Sequence, residues 1–262
     1  MAARALTPPG GLAFIVPAGL VAAWWAATHS HPNGLIPPPN MVLGELLDLA
    51  GFAGDNDEFS GSLWLNIATS GSRVFGGFLL SACLGLSLGM LIGRLQVVQR
   101  MLDSTFQMLR PIPVTAWQPL FLILFGLGSQ SATLLVALGC FYPILVNTIF
   151  GVRSVEPRLI EAATMLGTSR AALFPKVVLP SALPGIFTGL RLGLGFAWVV
   201  IVVGEFSGVR VGLGAMIENA REVSRTDVVI AGMIVIGLAG FLSDQAIRAV
   251  SRRLLRWNPQ HG

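Results

Sequence analysis

The chain has 262 residues, of which 53% are hydrophobic and only 11% are charged, and its formal net charge is +4. Soluble domains carry about 25% charged residues, so this composition excludes a water-soluble globular protein and predicts an integral membrane protein. Nucleic-acid binding is not indicated, because the basic residues are nearly all arginines that cluster at the ends of apolar runs.

Six apolar runs approach the length of about 20 residues that a helix needs to cross the hydrocarbon of a bilayer. We therefore predict an all-α, polytopic membrane protein whose six transmembrane helices form a single domain, residues 1–262. The first run ends in Trp24-Trp25, which suit a membrane interface, and we interpret it as an uncleaved anchor rather than a signal peptide. The predicted spans are residues 11–27, 74–92, 113–127, 132–151, 185–203 and 228–247.

A proline-rich break at 37–40 predicts a short helix between the first and second spans. Its expected apolar face would lie along the membrane surface, although a plain loop helix is an equally good interpretation. That face consists of Leu43, Leu46, Leu47 and Ala50.

Small residues recur every four positions along the second span, at Gly85, Gly89 and Gly93. This spacing is typical of a helix face that packs closely against another helix. Arg94, Arg100 and Arg110 follow and flank a predicted amphipathic connector.

No pattern in the chain predicts catalysis or metal binding. Ser87 stands in a G-x-S-x-G pattern, but a serine nucleophile needs a nearby base and the three histidines lie outside the spans. Cys83 and Cys140 lie within apolar runs and are expected to be small buried side chains. Lys176, the only lysine, does not follow a glycine-rich phosphate loop, so ATP would have to be bound by another subunit.

The distribution of Lys and Arg predicts the orientation of the chain. Three lie in 94–110, four in 151–180 and four in the C-terminal tail, whereas 28–72 and 126–131 contain none. The positive-inside rule therefore places both termini and the 151–180 segment in the cytoplasm. The loop after the fifth span is discordant. Its arginines, Arg210, Arg221 and Arg225, are expected to pair with the neighbouring Glu205, Glu218, Glu222 and Asp227.

Polar side chains in or beside the spans are candidates for lining a translocation path. Arginines would suit an anionic solute, although snorkelling to the interface and hydrogen bonding within a helix are alternatives. Glu205 is the one candidate for an ion-coupled carrier, and we prefer local capping or pairing for it. The candidates are Ser70, Arg73, Gln118, Tyr142, Asn147, Arg191 and Glu205.

The longest polar interruption of the C-terminal half, residues 151–191, contains a predicted helix from Pro157 to Leu166. Proline suits the first helical position, and Gly167 suits a left-handed cap at the end. Its small apolar face is suited to docking in a groove of another protein. That face consists of Leu159, Ala162, Ala163 and Leu166.

The run Glu161-Ala162-Ala163, followed by Gly167 and then by Val177, Leu179 and Pro180, resembles the EAA signature of ABC-transporter permeases from bacterial importers. Further segments resemble the nitrate, taurine, aliphatic-sulfonate and bicarbonate subgroup. They include Ser70-x-x-Arg73, Arg110-Pro111-Ile112-Pro113, Gln118-Pro119-Leu120, Thr188-Gly189-Leu190-Arg191 and Gly212-Leu213-Gly214. Pro175 departs from the pattern and makes the continuity of the following helix uncertain.

The resemblance implies a six-span, type I ABC importer permease in a bacterial inner membrane, with a cytoplasmic EAA loop at 152–184. It implies a homodimer, two cytoplasmic ABC ATPase subunits that bind ATP and Mg²⁺, and an extracytoplasmic solute-binding protein. It implies no cofactor and no catalysis in this chain, and a small anion as cargo, with organosulfonates ahead of nitrate or bicarbonate. A stand-alone carrier or channel is the alternative. The residues implied to couple to the ATPase are Glu161, Ala162, Ala163, Met165, Leu166, Gly167 and Thr168.

Overall fold

A computed structural model describes residues 15–29, 34–52, 57–109, 111–206 and 208–256, and within these ranges the chain is helical without strands. A 3-10 turn (Val114–Trp117) precedes α5, and a π-helical turn (Phe174–Val178) joins α8 to α9. In chain order the helices are α1 (Ile15–His29), α2 (Pro39–Leu49), α3 (Leu63–Arg94), α4 (Gln96–Leu109), α5 (Gln118–Phe125), α6 (Ser129–Arg153), α7 (Pro157–Met165), α8 (Arg170–Leu173), α9 (Leu179–Glu205), α10 (Leu213–Glu222) and α11 (Thr226–Leu254).

Four of the predicted spans are helices long and apolar enough to cross a membrane: α3, α6, the continuous helix Arg170–Glu205, and α11. The other two correspond to shorter apolar helices. The third span corresponds to the apolar segment Val114–Phe125, in which the 3-10 turn leads directly into α5 and which ends where Gly126 adopts a positive φ of 78°. Helix α1 begins at Ile15, and residues 11–14 of the predicted first span lie outside the described ranges.

The described residues form two compact units. The first takes its residues from Met1–Trp64 and Met216–Ile234, and the second from Leu65–Ala215 and Val235–Gly262. That all six spans act as one domain stays a prediction.

Helix α6 is the most buried of the four long helices, and the glycine face of α3 packs against it. A Cβ atom added at Gly89 would lie 2.7 Å from Cβ of Thr148, and one at Gly93 would lie 2.7 Å from Cβ of Val152. Both separations are shorter than side chains tolerate, so only glycine allows the helices to approach this closely. The close-packing face predicted from the four-residue spacing is confirmed.

Helix α9 approaches a neighbouring face of α6 in the same way. A Cβ atom at Gly151 would lie 2.8 Å from the carbonyl oxygen of Ala182, and one at Gly185 would lie 2.8 Å from Cα of Gly151. Because these neighbours are backbone atoms, a larger side chain could be accommodated only by separating the helices. Helix α6 is therefore held between α3 and α9 with little freedom to shift.

Pro175 does not interrupt the helix that enters the membrane. The backbone widens into a π-helical turn, and the N–H of Leu179 donates to the carbonyl of Phe174, five residues earlier. This pattern accommodates a residue that lacks an N–H donor, so that Arg170–Glu205 is one helix of 36 residues. The continuity that Pro175 made uncertain is thus preserved.

The two cysteines occupy different surroundings. Cys140 is buried in α6 as expected, but Cys83 is exposed on α3, so the prediction that both are buried is wrong for Cys83. The glycine face of α3 turns toward α6, which leaves Cys83 and the equally exposed Ser87 on other sides of the helix.

Helix α2 buries Val42, Asp48 and Leu49 within the first unit, and Asp48 accepts a hydrogen bond from Ser60 Oγ. Leu43 and Leu47, on the face predicted to lie along the membrane surface, are exposed. Contact of that face with a membrane stays a prediction.

Two of the three arginines in the discordant loop after α9, Arg221 and Arg225, are paired with carboxylates as expected, and Arg210 is exposed. Arg221 pairs with Glu218, and Arg225 pairs with Asp227 and with two carboxylates of the segment before α3. The hydrogen bond from Arg225 lowers the pKa of Asp57, whereas burial raises the pKa of Glu45. Glu205 pairs with Arg73 of α3 instead of with an arginine of this loop.

A buried ion pair joins α3 to the end of α9 in the second unit. Arg73 and Glu205 form a salt bridge whose side chains are 6% and 0% exposed. Arg73 also donates to the carbonyl of Val211 at 2.8 Å and to Ser129 Oγ at 2.9 and 3.1 Å. Each donor nitrogen of this guanidinium therefore has an acceptor, and the charge is compensated within the protein.

The Glu205 carboxylate in turn organises the loop that leads into α10. It accepts hydrogen bonds from Ser70 Oγ and from the backbone N–H of Gly214, both at 2.8 Å, while Ser70 Oγ accepts from the N–H of Leu213. A negative charge at the first turn of a helix is favourable. Gly212 is required here, because a Cβ atom would lie 2.5 Å from the carboxylate and the φ of 153° disfavours other residues.

We predict that Gly89→Ala destabilises the protein by about 1–3 kcal/mol, the range for forcing extra atoms into a packed core. Gly71→Ala is the matched control, since it lies on the same helix with no atom within 4 Å of an added Cβ. The control should be neutral or slightly stabilising, because alanine favours helices. The measurement is the free energy of unfolding in mild detergent, and equal effects of the two variants would contradict the close packing of α3 on α6.

We also predict that Glu205→Gln destabilises the protein by about 3–5 kcal/mol, because it leaves the Arg73 guanidinium buried without its counter-charge. Glu218→Gln breaks the exposed pair with Arg221 and should change stability by less than about 1 kcal/mol. Unfolding of both variants is compared with that of a double variant, Arg73→Met with Glu205→Leu. The double variant should recover only part of the lost stability, because it removes the unpaired charge but leaves Ser70 Oγ and the N–H of Gly214 without their acceptor. A double variant as stable as the wild type would show that the second unit does not depend on the pair.

Candidate functional site

Helix α7 is the short helix predicted within the polar interruption, and the structure confirms it. It runs from Pro157 to Met165, with proline at its first position and Glu156 in an extended conformation before it. Proline suits this position because the first N–H groups of a helix have no intrahelical acceptor.

The end of α7 explains the spacing between the alanines and the glycine of the EAA pattern. Gly167 has a φ of +81°, its N–H donates to the carbonyl of Thr164, and the N–H of Thr168 donates to the carbonyl of Ala163, both at 3.0 Å. These two bonds define a Schellman motif, in which a left-handed residue reverses the chain. Glycine at 167 thus fixes where the helix stops and how the next segment leaves it.

Large apolar side chains at the end of α7 are exposed. Met165 and Leu166 are 88% and 87% exposed. Leu159, about two turns before Leu166, is about half exposed. Glu161 and Ala162 are also exposed, and Ala163 and Thr168 are partly buried. A surface helix that presents methionine and leucine beside alanines is typical of an interaction site.

The base from which α7 projects is firmly packed. Val152, Ala182 and Ile186 form a buried cluster where α6 ends and α9 begins. Arg153 Nη2 donates to the carbonyl of Ile92 at 3.2 Å, which attaches the end of α6 to α3.

The π-helical turn is held by a further contact. The guanidinium of Arg94, the last residue of α3, lies 5.2 Å from the ring centre of Phe174. This cation–π geometry joins α3 to the start of the long helix. Helix α7 is therefore an exposed element on a rigid support.

Three of the candidate path residues form one cluster. Ser70, Arg73 and Glu205 are buried in the network described above, and each uses its polar atoms on protein partners. Sequence reasoning did not single out Ser129 as a member, since a serine just after a turn carries no pattern of its own. Because the side chains of Ser70, Arg73 and Glu205 are all buried, the cluster is closed to solute in this conformation.

The uncharged candidates bond to the backbone. Gln118 Nε2 donates to the carbonyl of Val203 at 2.8 Å, which joins α5 to α9. Asn147 Nδ2 donates to the carbonyl of Pro143 within α6. The latter bond lies within a single helix, as the alternative interpretation of such residues expects.

Arg191 is the remaining charged candidate, and it forms a triad with Asp244 and Arg248 of α11. Its Nε donates to Asp244 Oδ1 at 2.8 Å, and Arg248 pairs with the other oxygen of the same carboxylate. Two guanidiniums share one carboxylate, and all three side chains are between 25% and 45% exposed. The triad thus carries a net positive charge and is partly exposed.

A cavity of about 330 Å³ lies beside α6 in the second unit. Tyr142 is the one candidate path residue in its wall, and its hydroxyl donates to the carbonyl of Phe106 at 3.2 Å. The rest of the lining is apolar and aromatic, and comprises Phe106, Leu109, Ile112, Val114, Trp117, Leu138, Gly139, Phe141, Pro143 and Phe196.

Comparisons with known proteins agree with these features. The chain is 40% identical over 241 residues to the taurine transport system permease protein TauC of Escherichia coli strain K12, which covers 91% of this chain and 86% of that protein. It is 43% identical over 198 residues to the putative aliphatic sulfonates transport permease protein SsuC of Bacillus subtilis strain 168, covering 76% of this chain and 72% of that protein.

A solved structure shares the fold. A chain from inward-facing conformations of the MetNI methionine ABC transporter superposes with a TM-score of 0.65 and 19% identity, covering 76% of this chain and 99% of that chain. At this identity the likeness concerns the fold alone.

The family model described as the inner membrane component of binding-protein-dependent transport systems matches residues 83–256. The match includes α6, α7 with its Schellman motif, and the whole of α9. The chain therefore belongs to this family of multi-pass membrane permeases.

Proposed function

We propose that this chain is the permease subunit of an ATP-driven importer and that α7 is the element on which a cytoplasmic ABC ATPase docks. The observation that carries the proposal is the exposed apolar end of α7 on a packed base. Met165 and Leu166 would enter a groove of the ATPase, while Glu161 and the adjacent alanines allow close approach of its backbone.

The energy source in this proposal lies outside the chain. A phosphate cradle needs successive glycine amides before a lysine, but Lys176 lies in the π-helical turn between Pro175 and Val177. ATP and Mg²⁺ would be bound by the ATPase. Two copies of the permease, each with one α7, would form a homodimer that engages two ATPase subunits.

The continuous helix from Arg170 to Glu205 provides the mechanical connection. At 1.5 Å per residue, its 36 residues extend about 54 Å, more than the thickness of the hydrocarbon. Its first turns follow α7, and its last residue is held by Arg73. Displacement of α7 on closure of the ATPase dimer would therefore move α9 as a rigid body, in the manner of alternating access.

The cargo in this proposal is a small anion, with organosulfonates ahead of nitrate or bicarbonate. TauC and SsuC are named for taurine and aliphatic sulfonates, and they are similar to this chain over most of its length. The triad of Arg191, Asp244 and Arg248 supplies an accessible positive charge, and the cavity beside Tyr142 supplies apolar surface for an organic group. An extracytoplasmic binding protein would deliver the solute and set most of the selectivity.

The orientation in this proposal keeps both termini and α7 in the cytoplasm of a bacterial cell. The arginine counts support it, and the pairing of Arg221 and Arg225 with carboxylates reduces the uncompensated positive charge of the loop after α9.

We predict that Leu166→Asp leaves folding and membrane insertion intact but abolishes uptake. The side chain is almost fully exposed, so its replacement should change the stability of the isolated permease by less than about 0.5 kcal/mol. Loss of an apolar anchor at an interface typically weakens binding by about 2 kcal/mol, which is about 30-fold. The measurement is the amount of ATPase that co-purifies with the permease in mild detergent, together with solute uptake.

Arg158→Ala is the matched control, because Arg158 is an exposed residue of the same helix outside the apolar face. It should retain the ATPase and uptake. Uptake by Leu166→Asp at the wild-type rate would contradict the proposal. Solute accumulation by the purified permease alone in liposomes, driven by an ion gradient, would favour a stand-alone carrier instead.

A further inference from the structure

Four carboxylates surround a single guanidinium in the first compact unit. Arg225 donates to Glu45 Oε2 at 2.8 Å, to Asp57 Oδ2 at 2.6 Å and to both oxygens of Asp227 at 3.0 and 3.1 Å. Asp48 lies one turn after Glu45 on α2. When all four carboxylates are ionised, the cluster has a net charge of −3, because four negative groups face one positive group.

Two of the carboxylate oxygens in this cluster are left without a donor. Asp57 Oδ1 accepts hydrogen bonds from the backbone N–H groups of Phe59 and Ser60 at 2.8 and 3.0 Å. Asp48 Oδ2 accepts a hydrogen bond from Ser60 Oγ at 2.5 Å. Glu45 Oε1 and Asp48 Oδ1 are buried and have no hydrogen-bond partner among the described residues. Asp48 is only 3% exposed, so bulk water does not solvate its free oxygen.

Leaving these two carboxylate oxygens without a partner is unfavourable unless a positively charged group binds to them. A buried polar atom without a partner costs about 1–3 kcal/mol, and a charged one costs more. Arg225 already directs its donors at other oxygens, Glu45 Oε2 and those of Asp57 and Asp227. Ser60 uses its hydroxyl proton on Asp48 or Asp57. The described side chains therefore offer no further donor to these two oxygens.

We propose that Glu45 and Asp48, with Asp57 at the rim, form a binding site for Ca²⁺. One carboxylate oxygen from each of the three residues lies within 4.8 Å of the others. Ca²⁺ suits such a cluster because it takes 6–8 oxygen ligands at 2.3–2.6 Å in flexible geometry, whereas Mg²⁺ demands a near-ideal octahedron at 2.0–2.1 Å. Water and Ser60 Oγ complete the coordination.

The ion fastens α2 to the turn that precedes α3, since Glu45 and Asp48 belong to the helix and Asp57 to the turn. Arg225 extends this link to the start of α11 through Asp227. In the proposed orientation the site faces the extracytoplasmic side, where sites of this type bind Ca²⁺ with dissociation constants on the order of 10⁻⁴–10⁻³ M. The site itself depends on no transport step, so its test is independent of the proposed function.

The experiment uses the full-length chain, purified in mild detergent and freed of divalent ions with a chelator. Thermal unfolding is followed as Ca²⁺ is titrated, and ⁴⁵Ca²⁺ binding is measured by equilibrium dialysis. The wild type should bind about one ion per chain and unfold at a higher temperature when it is bound. Asp48→Asn and Glu45→Gln should each raise the half-saturating Ca²⁺ concentration at least about tenfold.

Glu58→Gln is the matched control, because Glu58 is an exposed carboxylate of the same segment that is not part of the cluster. It removes the same charge and should leave Ca²⁺ binding unchanged. Dialysis of the wild type alone decides the question if a variant fails to fold. Absence of saturable Ca²⁺ binding to the wild type would overturn the proposal, as would undiminished binding in both Asp48→Asn and Glu45→Gln.

Two further outcomes would also count against it. An equal response to Mg²⁺ would overturn the assignment of the ion. Stabilisation by mild acid with no effect of Ca²⁺ would show that Glu45 and Asp48 share a proton instead.

Discussion

The buried pair of Arg73 and Glu205 is the interaction on which the second compact unit depends. A guanidinium and a carboxylate with almost no exposure are stable only when each is paired and hydrogen-bonded, and here both conditions are met. The pair fixes the end of α9 against α3 and, through the N–H groups of Leu213 and Gly214, fixes the start of α10. Polar groups that suggested a solute path thus have a structural role in this conformation.

The opposite end of the same long helix carries the element proposed to meet the ATPase. Between the two ends, α9 packs on α6 through glycines at backbone distance, and α6 packs on α3 in the same manner. Interfaces of this kind do not compress or slide easily, because backbone atoms rather than flexible side chains are in contact. A push on α7 would consequently be transmitted along a rigid bundle instead of being absorbed locally.

Much of this fold was predictable from the chain alone. Hydrophobic length indicated the long helices, four-residue glycine spacing indicated the face of α3, and the proline and glycine at 157 and 167 indicated both ends of α7. The remaining features depend on tertiary contacts that one-dimensional patterns do not carry. Arg73 and Glu205 are 132 positions apart, and nothing local specifies that they meet. The buried face of α2 includes Asp48 beside Val42 and Leu49, and the hydrogen bond between Asp48 and Ser60 joins residues 12 positions apart that no local pattern links.

The central claim is that α7 is the cytoplasmic contact for a separate nucleotide hydrolase. It is tested most directly by placing a cysteine at position 165, with the exposed Cys83 replaced by serine, and treating native membranes with a short thiol cross-linker. We expect a cross-link between the permease and an ATP-hydrolysing subunit, and labelling of position 165 only by reagents that reach the cytoplasm. Labelling by an impermeant reagent applied from outside the cell would contradict it.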